Sequence, residues 1–421
     1  MRKILILPWG SPWGWRTVEY AYEGNSLLSK TTLPLLYEVI NPDRAVIIAL
    51  DSLAKQGENY GEIKHNARTD ILHFLCLNAP QVPNEKVDVV ISYSVGKFRN
   101  APFSFDRDLS DFYPHILWEL GKHIWDVAKG SDKVEIYLDL THGLNFMPTL
   151  VYRAVRKLGS ILSLTKDVRL VVLNSEPFHA EGQESHIHTV SDVHLRPYFL
   201  IRRIAKDIGD DGSNTKFLVD RNDDNNGISA KALGFPNITE LDAFSASVQN
   251  GFLVGLYQFF PDMDKLTKAI ERTFLTYEKR VKISGSTLSF PYRFGFTFSN
   301  VIQVHFIAKI TKEYFGSIGT FDFRIKNCRD KLASLYKNNN RLQAIVQYGL
   351  IDGEKELKKC RLEGNCERSE GKDAFIRNFI AHIGLLRGIF KRAYRLEYCD
   401  RIKISGVDYN ITHLIQETLE V

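Results

Sequence analysis

The sequence is short of most features that announce a function. Its five cysteines, Cys76, Cys328, Cys360, Cys366 and Cys399, are scattered without a CxxC pair. That argues against a zinc framework and for a reducing compartment. Cys360 and Cys366 lie close enough in sequence to bridge, and the sequence leaves their pairing open. No apolar run approaches the ~20 residues of a membrane-spanning helix. The opening MRKILILPWG starts like a signal peptide, but its apolar run is about five residues, below the ~7 required, before Pro8 and Trp9 break it. A cytoplasmic protein without a membrane partner is therefore expected. No GxGxxG follows the first strand pattern and no GxxxxGK[ST] occurs anywhere, which disfavours a standard dinucleotide enzyme or P-loop NTPase. Charge of one sign is also scarce: a net +5 suits a polyanionic partner only weakly. There is no internal repeat and no low-complexity tract.

What is present is organisation. A chain of 421 residues, 44% hydrophobic and 25% charged, is too long for one ordinary core, so two or three domains are expected. Apolar, β-branched runs at 3–8, 44–50, 87–93, 133–140 and 168–174 alternate with helical patterns at 17–40, 61–77, 108–129 and 146–159. Strands that are apolar on both faces are buried on both faces, which predicts a mostly parallel, doubly wound, Rossmann-like sheet. The stretch from His179 to Gly209 suggests a strand and then a helix. The Asp-, Asn- and Gly-rich run 207–226 suggests a solvated surface excursion. Helical periodicity then dominates, over 238–259, 262–280, 295–315, 322–336, 340–350 and 373–397. A charged loop is expected at 351–372, and a hairpin with a short helix at 402–421. The expected fold class is α/β plus all-α, with a first domain over 1–190, a connector over 191–240 and a helical domain over 241–421.

Open parallel sheets bind ligands at the carboxyl ends of their strands. The first strand runs into PWGSPWGWR, where Gly10, Ser11, Trp13 and Gly14 make a turn that backbone and rings can offer to a base. A tight, aromatic-packed turn is the plainer reading. The second strand pattern ends at Asp51-Ser52 and the third at Tyr93-Ser94. The fourth, LDLTHGLNFMP, ends with Asp139, Thr141, His142, Gly143 and Asn145 directly ahead of a helix. Amides at a helix start favour an anion, and Thr141 or Asn145 can equally be a simple cap.

At the other end, FIRNFIAHIGLL holds three polar side chains in a greasy run. With Arg377 set at zero and about 100° per residue, Ala381 falls near 40°, Asn378 near 100° and His382 near 140°. The three form one arc with a small residue inside it, and Arg392 and Arg395 return to nearly the same stripe. An imidazole can take or give a proton, and a guanidinium can hold a phosphate bidentately. That combination suits metal-free RNA cleavage, in which the 2′-hydroxyl attacks the adjacent phosphate. The spacing alone carries little, because Arg68 and His73 repeat it, and a buried structural Arg–His pair stays open. His179, His186, His188 and His194 form a looser group in which no second ligand pair is fixed by spacing, so no metal site is expected.

With RNFIAH at 377–382, DLTHGLN at 139–145 and a Rossmann-like domain ahead of a helical one, the sequence resembles the CARF–HEPN ribonucleases of type III CRISPR systems. The resemblance implies an endoribonuclease that needs no cofactor or metal, cuts single-stranded RNA and leaves 2′,3′-cyclic phosphate ends. It implies a homodimer or higher assembly activated by a cyclic oligoadenylate, most often the four-adenylate ring. By position, Thr141, His142, Gly143 and Asn145 would touch the ring, with Gly10, Ser11, Trp13 and Ser94 as neighbours. Arg377, Asn378 and His382 would be catalytic. The alternative is a CARF-type transcription regulator, which requires a helix-turn-helix in the second half.

Overall fold

The computed structural model describes residues 1–98, 101–178, 180–198, 201–316, 334–359, 367–382, 384–385, 390–392 and 397–419. They form two compact units. The first comprises Met1–Leu195 together with Asp220–Asp224 and Phe274–Phe294; the second comprises Arg196–Val219, Asn225–Thr273 and Gly295–Val421.

The first unit is built on β1 (Arg2–Pro8), β2 (Val18–Tyr22), β3 (Asn25–Ser29), β4 (Arg44–Leu50), β5 (Val87–Ser92), β8 (Lys133–Asp139), β9 (Asp167–Ser175) and β10 (Glu184–Leu195), with two short strands β6 (Gly96–Lys97) and β7 (Ser104–Asp106) between β5 and β8. The main sheet runs β3-β2-β10-β9-β8-β1-β4-β5. The five central and edge strands β9, β8, β1, β4 and β5 are parallel, and β10 joins antiparallel to β9. Ile4–Leu7, Ala45–Leu50 and Leu170–Leu173 are buried without a break, as the doubly apolar runs require, whereas β8 is buried at Val134, Ile136 and Leu138 in alternation. Helices α1 (Leu33–Ile40), α2 (Tyr60–Asn78), α3 (Phe112–Ala128) and α4 (Met147–Leu162) make the connections. Because β1 lies between β4 and β8, the chain reverses its direction of travel across the sheet there, which opens a crevice at the ends of β1 and β8.

The helix expected over 17–40 is instead the β2–β3 hairpin followed by the short α1. Val18, Tyr20 and Tyr22 are buried at a spacing of two, and Glu23-Gly24 turn the chain with φ of 47° and 79°. Positive φ at both turn positions is the geometry a two-residue hairpin needs.

The second unit is mainly helical. It carries α5 (Ile238–Asn250), α6 (Leu253–Gln258), the start of α7 (Met263–Lys279), α8 (Phe298–Phe315), α9 (Asn340–Lys359), α10 (Lys372–Ala381) and α11 (Ile411–Glu417), which follows a hairpin of Arg401–Ile404 and Val407–Asn410. The helix expected after β10 is absent over 201–208. The N–H groups of Ile204 and Ala205 donate instead to the Asp242 carboxylate at 2.7 and 3.0 Å, and the Gln416 amide donates to it at 2.8 Å. Burial pushes Asp242 up to about 6.

Three further expectations are corrected. The run 207–226, expected as a solvated surface excursion, holds a strand, Lys216–Asp220, in which Phe217 and Leu218 are fully buried. The loop expected at 351–372 is helical as far as Lys359. The helix expected over 373–397 stops at Ala381. Gly384, at φ 75°, donates its N–H to the Phe379 carbonyl at 2.7 Å, closing the helix end. Arg392 therefore sits on a strand, Phe390–Arg392, and does not continue the stripe. Arg395, His179, the Cys360–Cys366 pair and most of the helix expected over 322–336 lie outside the described residues. Cys76 is a free, exposed thiol. Among the described residues no helix is long and apolar enough to cross a membrane.

Candidate functional site

The turns after β1 and β8 meet. The N–H of Gly10 donates to the His142 carbonyl at 2.9 Å, and a Cβ on Gly10 would stand 3.3 Å from the Leu144 Cβ. A cleft of about 530 Å³ opens beside this junction, lined by Gly10, Ser11, Trp13, Ser52, Lys55, Asp70 and Leu144 among others. Trp13 is 40% exposed there. Its indole N–H donates to Asp70 at 2.5 Å, and the Lys55 ammonium lies 5.2 Å from its ring centroid and 3.4 Å from Asp70. The sequence pattern did not single out Lys55 or Asp70. They come from the segment after β4 and from α2, and nothing in their local spacing marks them.

The other predicted residues of this turn divide by what they touch. The Thr141 hydroxyl donates to Asp139 at 2.6 Å and accepts from the Ser175 N–H at 3.0 Å. Asp139 also accepts from the Thr32 hydroxyl, and burial raises its carboxyl. His142 stacks on Trp15 with centroids 3.9 Å apart, and its Nε2 lies 3.4 Å from both the Tyr20 hydroxyl and the Thr32 N–H. Burial pushes this imidazole down to about 3, so it is neutral at physiological pH. At Gly143, a Cβ would meet the Pro148 ring at 2.5 Å. Asn145 is exposed at φ 48°, immediately ahead of α4. Thr141 and His142 thus brace the turn, while Leu144 lines the cleft against Gly10 and Asn145 is exposed.

Ser94 is not at the cleft. It is fully buried, and its N–H and hydroxyl both donate to Asp51. Asp51 also accepts from Arg107 at 2.9 Å and from Tyr60 at 2.8 Å, and neither member of the Asp51–Arg107 pair is exposed. The third strand end therefore carries a structural network, which its short Tyr-Ser pattern does not reveal.

In the second unit, α10 divides cleanly. Phe375, Ile376 and Phe379 are buried, with Phe379 packed edge-on against Phe252 at 4.8 Å and near Tyr398 at 5.7 Å. Arg377, Asn378 and Ala381 are exposed, and His382 is half-buried at the helix end. The His382 N–H closes the last turn on the Asn378 carbonyl at 3.0 Å, and its Nδ1 is buried without a hydrogen-bond partner among the described residues. Arg377, Asn378 and Ala381 of the expected arc thus form an open helical face, whereas His382 caps the helix, half-buried, with one ring nitrogen buried. The Arg68 side chain of the second RxxxxH is also exposed, but its guanidinium spends two N–H groups on the Val89 carbonyl, at 3.1 and 2.6 Å, and is committed to the backbone of β5. His186 and His188 are exposed and lie beside Glu184 and Glu176, and no group of three or more ligands that could hold a metal occurs among the described residues.

Comparison with known proteins bears on both units. The model of the CARF domain of the CRISPR system endoribonuclease Csx1 matches residues 4–177. The CRISPR system endoribonuclease Csx1 of Methanocaldococcus jannaschii is 31% identical over 417 residues, covering 92% of this chain and 86% of that protein. A solved structure, Enterococcus italicus Csm6 bound to cyclic hexa-2′-fluoro-hexa-dAMP, aligns over 100% of this chain and 98% of its own at 14% identity, with a TM-score of 0.27.

Proposed function

The chain belongs to the Csx1 family of CRISPR system endoribonucleases, and from that premise we propose a metal-independent ribonuclease of HEPN type acting in CRISPR defence. It cuts single-stranded RNA, leaves 2′,3′-cyclic phosphate ends and is switched on by a cyclic oligoadenylate. The observation that carries the reading is the end of α10, where Arg377 and Asn378 are exposed above an anchored apolar face and His382 caps the helix.

Arg377 holds the scissile phosphate and neutralises charge building on its oxygens. His382 takes the 2′-hydroxyl proton or supplies one to the leaving 5′-oxygen. Asn378 donates to a phosphate oxygen. One imidazole cannot be free base and acid in the same step, so a second copy of the chain supplies the other role, and the working unit is a homodimer. The cleft beside Gly10 takes the activator: the Trp13 ring gives a base a face to stack on, and Ser11 and Lys55 give donors for phosphate. Cyclic tetra-adenylate is the ring expected to fit. Thr141, His142 and Gly143 act on it by holding the turn, and Asn145 by direct contact.

The test is cleavage of single-stranded RNA in EDTA, with and without cyclic tetra-adenylate, by wild type and His382→Ala. Stimulated cutting by wild type alone supports the reading. Cutting that requires an added divalent cation, or that persists in the variant, overturns it.

A further inference from the structure

The network under the cleft does more than fill space. Asp51 begins the short turn Asp51–Leu53, and the next two residues, Ser52 and Leu53, line the cleft. The Asp51 carboxylate is held by Arg107, whose Nη1 donates to it at 2.9 Å and to the Ser94 carbonyl at 3.2 Å, while Nη2 donates to the Tyr60 hydroxyl at 2.8 Å. The guanidinium lies 3.6 Å from the Phe290 ring centroid and 4.4 Å from that of Tyr93. Phe290 belongs to Phe274–Phe294, the stretch that returns to the first unit from far down the chain. That stretch is gripped at two more points. Asp111 accepts from the Tyr277 hydroxyl and the Phe294 N–H, each at 2.7 Å. Glu278 accepts from Lys64 at 2.7 Å and from Tyr93 at 2.9 Å.

A fully buried ion pair is a poor way to gain stability, because both charges lose their water and an apolar pair of similar volume often does as well. What such a pair does do is penalise any arrangement that separates its two charges, because an unpaired buried charge is costly. Here it joins the rim of the cleft to a segment whose helix, α7, begins among residues of the second unit and whose other end leads directly into α8.

We infer that Arg107 is a positioning residue for ligand control: through Asp51 on one side and Phe290 on the other, it ties occupancy of the cleft to the placement of 274–294, and so to RNA cleavage. The inference rests on the cleft being the activator site. A ligand that shifts Ser52 and Leu53 moves Asp51, and Arg107 follows, since both its terminal nitrogens are bonded and its guanidinium is buried against the Phe290 and Tyr93 rings. Coupling of this kind requires only that the ligand bind two arrangements of the network unequally.

The experiment uses the full chain. Asp51→Asn with Arg107→Gln replaces the ion pair by two neutral amides that keep a donor and an acceptor. Ring binding is measured by calorimetry with cyclic tetra-adenylate, and cleavage with and without the ring. The expected result is ring affinity within about threefold of wild type, unchanged basal cutting, and a stimulation ratio reduced at least tenfold. An unchanged ratio in the folded, ring-binding double variant overturns the relay. A wild type that neither binds the ring nor responds to it overturns the activator reading itself. If the double variant does not fold, amide exchange in wild type decides: ring addition should alter protection within 274–294 as well as at 51–53. A change confined to 51–53 sinks the relay.

Discussion

The N–H of Gly10 donates to the carbonyl oxygen of His142 at 2.9 Å, which ties the turn after β1 to the turn after β8. With a Cβ only 3.3 Å from Leu144, Gly10→Val should overpack the junction and prise the turns apart, at a cost of about 1–3 kcal/mol. Ring affinity should fall at least tenfold while RNA cutting without the ring is retained. Titration of the ring against the purified variant checks this.

Trp13 is the exposed ring of the cleft, held by Asp70 and capped by Lys55. Loss of one base-stacking platform is worth about 1–3 kcal/mol. Trp13→Ala should therefore weaken ring binding by roughly 5- to 150-fold, and Asp70→Ala, which only frees the indole, by less. Equal losses in the two variants would point to a structural role for the tryptophan.

On α10, His382→Ala should lower the cleavage rate by roughly 10²–10⁴ and Arg377→Ala by about 10²–10³. Asn378→Ala should cost less than either. Ring binding should be unchanged in all three, since these residues belong to the other unit. Single-turnover rates at saturating RNA, with ring binding measured in parallel, separate the two effects.

Burial pushes the Asp111 carboxyl up to about 7, although the Phe294 N–H and the Tyr277 hydroxyl offset part of the rise. A carboxyl whose folded pKa is raised stabilises the fold fully below its unfolded pKa of ~4 and loses that contribution as pH rises through the folded value. Wild type should therefore lose stability between about pH 4 and about pH 7 relative to Asp111→Asn, whose amide does not titrate. Chemical denaturation of both proteins across that window gives the difference, and parallel curves would rule the assignment out.

Gly384 sits at φ 75°, and a Cβ there would stand 2.3 Å from the Tyr398 hydroxyl oxygen. Gly384→Ala should destabilise the second unit by more than the ~1 kcal/mol of an ordinary left-handed glycine, and should reduce cutting through displacement of His382. A calorimetric scan with an activity assay at low temperature distinguishes the two losses.

The strands that carry the sheet were legible because their residues are apolar on both faces, a pattern that needs no partner to be recognised. The shared exposed face of Arg377 and Asn378 was legible because helical spacing is local, but the placing of His382 was not, because the helix ends before it. The end of α10 was not, since continued apolar periodicity through Leu385 masks the single glycine that stops the helix. The β2–β3 hairpin was hidden by Leu27 and Leu28, which break strict alternation. Lys55, Asp70 and Arg107 could not be found from spacing, because each is defined by a partner remote in the chain or by a shared cleft.

The first unit is also unfinished until late in synthesis. When residue 195 has left the ribosome every strand of the main sheet exists, yet Phe290, which covers Arg107, and Tyr277, which bonds Asp111, have not been made. The nascent sheet must hold a charged side chain without its lid for about another hundred residues of translation, which takes roughly 5–20 s at ordinary elongation rates. The same interleaving means that cutting the gene after the last strand of the sheet does not yield a transplantable cassette: the piece would leave behind two of the segments that complete it.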